Sequence, residues 1–277
     1  MDRRTFLTQT ATTAVGAQIF DQQSFFNEPI IGHGDFRYKI NLKWCHANAE
    51  KTPVNDCHEM VFDKKGRIFM TTNDVRNNIL IFSKDGEVLG SWGTEYPGAH
   101  GLSIAEEGGE EVLFITDYER HEVVKTSLDG RVLQVFGWPA DSKKYERKDQ
   151  FLPTETAILP NGDVVVADGY GQDCIVHFDA KGHILNVFGG KTELNNAHGI
   201  ALDTRDVQNP TLLVTSRAEN SLKRYDFSGK LLDSVALPGA FICRPRILGK
   251  NVYFAVLVSE MPWDGGTGFV MVLDENN

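Results

Sequence analysis

Ser83-Lys84-Asp85-Gly86-Glu87-Val88-Leu89-Gly90-Ser91-Trp92-Gly93 reads as a tight turn followed by a short strand that ends in an aromatic residue and a glycine. The pattern returns at Ser127-Leu128-Asp129-Gly130, followed by Arg131-Val132-Leu133-Gln134-Val135-Phe136-Gly137. It returns again at Asp179-Ala180-Lys181-Gly182, followed by His183-Ile184-Leu185-Asn186-Val187-Phe188-Gly189. A fourth turn, Asp226-Phe227-Ser228-Gly229, keeps the phase, and the turn glycines stand 44, 52 and 47 residues apart. Asp-Gly and related pairs favour hairpins, and the flanking runs are rich in Val, Ile and Phe, as strands are. Four strands in a unit of ~40–50 residues is the signature of a β-propeller blade. One blade cannot bury both of its faces, so blades pack side by side around a central channel.

Blades are expected to start near His58, His100, Thr154, His198 and Arg244. The charged stretch 141–149 is a short insertion that accounts for the longest spacing. The last strand, Phe269-Val270-Met271-Val272-Leu273, is followed by Asp274-Glu275-Asn276-Asn277, where earlier blades place their turn. The expected fold is therefore all-β, a six-bladed β-propeller lacking its sixth blade at the C-terminus and occupying residues 36–277. Residues 38–44 alternate apolar and polar side chains and are expected to serve as a closing strand in the last blade.

The chain has 277 residues, 41% of them hydrophobic, and a net charge of −10. With no basic block, it offers no surface for nucleic acid. No stretch reaches the ~18 apolar residues of a membrane span. Asp2-Arg3-Arg4-Thr5-Phe6-Leu7 before a mildly apolar run reads as a twin-arginine export signal over residues 1–17, with a linker over 18–35. The expected location is periplasmic or secreted, and the expected state is a monomer. Cys45, Cys57, Cys174 and Cys243 could pair in an oxidising compartment, with Cys45 and Cys57 one candidate bridge.

Two further stretches match: Gly98-Ala99-His100-Gly101-Leu102-Ser103-Ile104 and Asn196-Ala197-His198-Gly199-Ile200-Ala201-Leu202, their histidines 98 residues apart. They head the inner strands of the second and fourth blades, so both histidines should face the axis. Together with Leu152-Pro153-Thr154, Val166-Ala167-Asp168-Gly169-Tyr170, Ser216-Arg217-Ala218-Glu219-Asn220 and Gly268-Phe269-Val270-Met271, these pieces carry a resemblance. From about residue 57 onward, the chain resembles the peptidyl-α-hydroxyglycine α-amidating lyases and related NHL-type propellers.

That resemblance implies a zinc site of three histidines from alternate blades, of which His100 and His198 are two and the third belongs to the sixth blade. Three protein ligands leave a position open, as in catalytic zinc sites. It also implies that Tyr170 is a catalytic base, its pKa lowered by the metal and by Arg217, and that Arg217 holds a substrate carboxylate. A structural calcium would use the backbone carbonyl of Leu102. The implied reaction is that of a carbon–nitrogen lyase, cleaving a peptidyl α-hydroxyglycine or another small carboxylate-bearing substrate in the channel.

One residue departs from the pattern. Thr71 stands where the family has a first-blade arginine; Arg76, five residues on, is a candidate to reach in from the loop in its place. His58 heads the first blade and is a candidate fourth axial group, whereas His121, His177 and His183 read as ordinary strand or turn residues. The second reading is a non-catalytic NHL-type propeller that binds a peptide, glycan or protein on one face. A lactonase-type propeller would need an axial set of Glu and Asp, which the strand heads do not suggest.

Overall fold

A computed structural model describes residues 29–275, so the export signal and most of the linker lie outside the described residues. Two compact units divide after Cys45. The described part of the first contains β1 (Ile30–His33) and β2 (Phe36–Lys39), which form an antiparallel hairpin. The expected closing strand is thus only partly a strand: Tyr38 and Lys39 belong to β2, and its partner is β1.

The second unit carries five sheets, one after another along the chain, every pairing antiparallel. Blade one is β3 (Cys57–Phe62), β4 (Ile68–Thr72), β5 (Ile79–Phe82) and β6 (Val88–Trp92). Blade two is β7 (Ala99–Glu107), β8 (Glu110–Asp117), β9 (Glu122–Ser127) and β10 (Val132–Phe136). Blade three is β11 (Glu155–Ile158), β12 (Val164–Ala167), β13 (Cys174–Phe178) and β14 (Ile184–Gly189). Blade four is β15 (Ala197–Asp203), β16 (Thr211–Ser216), β17 (Ser221–Tyr225) and β18 (Leu231–Ala236). Blade five has three strands, β19 (Ala240–Leu248), β20 (Asn251–Ser259) and β21 (Phe269–Leu273). The protein is a β-propeller, and its described residues form five blades rather than six.

The core lies between blades. Four apolar clusters join blades one and two, two and three, three and four, and four and five. This explains why β12 and β16 are buried along their whole length: both faces are covered by neighbouring blades. Outer strands such as β18 are largely exposed. The repeated aromatic and the repeated glycine turn out to be partners across blades. Gly130, at φ +89°, lies so close over Trp92 that a Cβ there would come within 2.7 Å of the indole; Gly229 stands over Phe188 in the same way, at 2.5 Å. A side chain at either glycine would collide with the ring as well as strain the backbone.

The insertion after blade two contains a single 3-10 turn, Lys148–Gln150, and is not merely a solvated loop. Tyr145 is buried beside Phe151, and its hydroxyl donates to Asp168 Oδ2 at 2.7 Å. No disulfide forms among the described residues, and Cys45 and Cys57 are exposed thiols rather than the candidate bridge. No helix of the described residues is long and apolar enough to cross a membrane.

Candidate active site

Both His-Gly pairs sit at the same irregularity of their strands. The pairing of β7 with β8 slips between Ala99 and Leu102, and that of β15 with β16 between Ala197 and Gly199. A bulge of this kind re-aims a side chain. The glycine N–H groups are taken by threonines of the neighbouring strands, Gly101 by Thr116 Oγ1 at 2.6 Å and Gly199 by Thr215 Oγ1 at 2.8 Å. A Cβ at Gly101 would lie 2.5 Å from the Thr154 carbonyl oxygen, and one at Gly199 would lie 2.6 Å from the Arg244 Cα. Inner strands of adjacent blades therefore approach closely beside the two histidines, and only glycine fits there.

The result brings His100, His198 and Tyr170 together. The Tyr170 hydroxyl lies 3.1 Å from Nε2 of each histidine, and the two imidazole centroids are 4.8 Å apart. Arg217 lies beside the same hydroxyl and favours its ionisation. His58 stacks face to face on His100, with centroids 4.0 Å apart and 24° between planes. These residues and Cys243 line a cavity of about 450 Å³ between the inner strands and the open flank of blade five.

Protons can be placed from the partners. His100 Nδ1 is 2.8 Å from the Thr154 carbonyl, which only accepts, so Nδ1 carries the hydrogen and Nε2 offers its lone pair. The Tyr170 O–H then donates to His100 Nε2 and must accept from His198 Nε2–H. That leaves His198 Nδ1 buried without a partner. Both histidines are held neutral. Burial takes His100 down to about 3, helped by His58 and Arg217, and burial followed by Arg217 takes His198 well below its usual value. The Tyr170 hydroxyl is pushed up by burial, with Arg217 opposing, so protein groups alone do not produce the lowered pKa expected of a base.

Two imidazole nitrogens aimed at one point fit a zinc ion, and His100 already has the tautomer and the outer hydrogen bond that metal ligands use. His198 would have to move its proton to Nδ1. Leu102 does not fit a calcium ion: its carbonyl oxygen accepts from Arg244 Nη1 at 2.8 Å, so a cation already occupies that position. Arg76 does not replace the missing first-blade arginine, because it is exposed and paired with Asp74. Thr71 is fully buried. Sequence reasoning overlooked Cys243, the Tyr118 ring 5.8 Å from Tyr170, and the axial charges Glu59, Glu155 and Arg244. The two glutamates do face the axis, but Arg244 meets both, which is not the open carboxylate set of a lactonase-type site. The ordinary histidines are as expected, with His177 on Asp163, His183 on Asp179 and His121 on the Phe151 carbonyl.

The fold and the axial histidines define the class, a β-propeller with a polar site at the channel. Its similarity is to the amidating lyases and the NHL-repeat proteins. The chain is 30% identical over 155 residues to a Caenorhabditis elegans protein named as a probable peptidyl-alpha-hydroxyglycine alpha-amidating lyase, covering 50% of this chain and 43% of the relative. It is 29% identical over 179 residues to NHL repeat-containing protein 3 of Homo sapiens, covering 60% and 51%. It is 29% identical over 201 residues to peptidyl-alpha-hydroxyglycine alpha-amidating lyase 1 of Drosophila melanogaster, covering 59% and 35%. The chain thus matches about half or less of the length of these relatives. No family model matches it. Among solved structures, a streptogramin B lyase superposes with a TM-score of 0.56 at 16% identity over 81% of this chain and 70% of its own. A virginiamycin B lyase from Staphylococcus aureus gives 0.57 at 15% identity, over 74% and 64%. At those identities, the likeness is one of fold.

Proposed function

We propose that this propeller is an exported, zinc-dependent lyase acting on a small carboxylate-bearing substrate of the peptidyl α-hydroxyglycine type. The observation that carries the reading is the Tyr170 hydroxyl, 3.1 Å from both His100 Nε2 and His198 Nε2 with Arg217 beside it. Zinc held by those two nitrogens would supply a Lewis acid that polarises substrate oxygens and lowers the pKa of nearby hydroxyls. Arg217 binds the substrate carboxylate through its guanidinium fork. Tyr170 Oη takes the proton of the substrate hydroxyl as the C–N bond breaks. The bonding pair leaves with nitrogen, which recovers that proton to become the primary amide, and the carbon fragment departs as glyoxylate.

We further infer that the ring takes six blades. Met60 and Phe62 on blade one, and Leu257 and Val270 on blade five, are exposed apolar side chains on strands that no neighbouring blade among the described residues covers on that side. A sixth blade would cover them and could bring the third zinc ligand. Export through the Arg3-Arg4 signal and a monomeric state complete the reading.

The test is metal analysis and glyoxylate release from a peptidyl α-hydroxyglycine. The expected result is bound zinc and turnover, both lost in His100→Ala with His198→Ala. Zinc-free protein with no turnover, and histidine variants that behave as the parent does, would sink it. The second reading, a non-catalytic NHL-type propeller for a peptide, glycan or protein, draws support from Thr71, which stands where the amidating lyases have a first-blade arginine. That outcome would then stand in its place.

A further inference from the structure

The residue after each axial position forms a second layer below the histidines. Reading the inner strands in order, the axial positions are His58, His100, Thr154, His198 and Cys243, and the next residues are Glu59, Gly101, Glu155, Gly199 and Arg244. Even-numbered blades place glycine in this layer; odd-numbered blades place a charge. Alternate blades of a six-fold ring are ~120° apart, so three long side chains can meet on the axis.

They do meet. Arg244 Nη1 is 3.4 Å from Glu59 Oε2, 3.5 Å from Glu155 Oε2 and 2.8 Å from the Leu102 carbonyl oxygen; Nη2 is 3.0 Å from Ser103 Oγ. One guanidinium thereby touches blades one, two and three from blade five. The sequence supports the placement locally. The pairing of β19 with β20 slips twice between Ala240 and Pro245, which re-aims Arg244, and Gly199 makes room for its backbone. Glu155 and Arg244 side chains are only 4% and 14% exposed. Arg244 also lines two separate cavities, the histidine site of about 450 Å³ and another of about 430 Å³ between Ser103, Ala105, Thr156, Ala201 and Arg246. Arg246 lines both as well.

We propose that Arg244 is the built-in cation of the ring axis. Its guanidinium, and not a divalent metal, neutralises Glu59 and Glu155 and ties four blades together. Buried carboxylates need a partner of opposite charge, and removing one member of such a set strongly destabilises the fold. Burial pushes the Glu155 carboxyl up; Arg244 opposes the rise and Glu59 adds to it. The inference is independent of the lyase reading.

The test is scanning calorimetry of the full chain at fixed zinc, with and without excess calcium chloride. Wild type is expected to show the same Tm in both. Arg244→Met is expected to melt roughly 10 °C lower, and calcium should restore part of that loss by entering the vacated acidic cradle. His100→Ala should be as indifferent to calcium as wild type, which separates this layer from the zinc layer. A wild-type Tm raised several degrees by calcium, with the rise abolished in Glu155→Gln, would overturn the proposal. So would an Arg244→Met variant with an unchanged Tm, or one that calcium leaves where it was. If Arg244→Met does not fold, the wild-type calcium arm decides alone.

Discussion

The hydroxyl of Tyr170 lies 3.1 Å from His100 Nε2, and the other nitrogen of that imidazole is tied to the Thr154 carbonyl. A backbone carbonyl of blade three therefore sets the tautomer of a blade-two histidine, and that tautomer decides which way the tyrosine proton points. Tyr170→Phe keeps the ring and removes only this hydroxyl. Turnover of a peptidyl α-hydroxyglycine should fall in kcat by roughly 10²–10⁴-fold, with Tm nearly unchanged. Equal turnover by the variant would remove Tyr170 from the chemistry.

Burying two neutral histidines makes the metal-free protein sensitive to acid. His100 has a folded pKa of about 3 against 6.5, and His198 is depressed in the same direction. Below 6.5, the unfolded chain takes up protons that the folded chain refuses, so stability drops as pH falls. The slope is about 1.4 kcal/mol per pH unit for each histidine. Chelator-treated protein should show this loss in urea titrations between pH 7 and pH 5. The His100→Ala, His198→Ala double variant should have a flatter profile over the same range; equal slopes in the two proteins would contradict the assignment.

Tyr145→Phe tests the fold-back of the insertion. Asp168 is pushed up to about 7 by burial, while the Gln172 N–H, the Tyr145 hydroxyl and the Leu152 N–H favour its ionised form. Deleting one of these donors should cost about 1–3 kcal/mol, read as a lower urea midpoint with an unchanged m-value. A solvated insertion would show no change.

Gly199→Ala and Gly66→Ala separate crowding from backbone strain. Gly66 has φ +77° and open space around it, so alanine there carries only the left-handed penalty of about 1–2 kcal/mol. Gly199 has no such penalty, but its new methyl would meet the Arg244 backbone at 2.6 Å. The Gly199 variant should lose the larger amount of stability and retain less zinc. The reverse order would mean that the inner strands can shift apart freely.

Whatever repeats was legible. Turn glycines, terminal aromatics and the His-Gly pairs recur in phase, and phase alone placed His100 and His198 on a common axis. Phase placed the start of blade five near Arg244, but whether Cys243 or Arg244 continues the axial series was not legible, because β19 is bulged twice and carries Pro245. Tyr145 was hidden by its charged neighbours, since composition reports the exposed face of a segment and not the one residue it buries. Arg76 misled for the opposite reason. Its proximity in sequence suggested reach, but Asp74, two residues away, holds it at the surface.

The stacking of Gly130 on Trp92 and of Gly229 on Phe188 has a consequence for how such rings are sized. At these two junctions, one–two and three–four, the spacing of the blades is the thickness of one aromatic ring pressed against bare backbone. The angular pitch is thus gauged locally there, before any closure of the circle is felt. Replacing Trp92 or Phe188 by a thinner side chain would let adjacent blades tilt together and change how many fit around the axis, without touching a single residue that lines the channel.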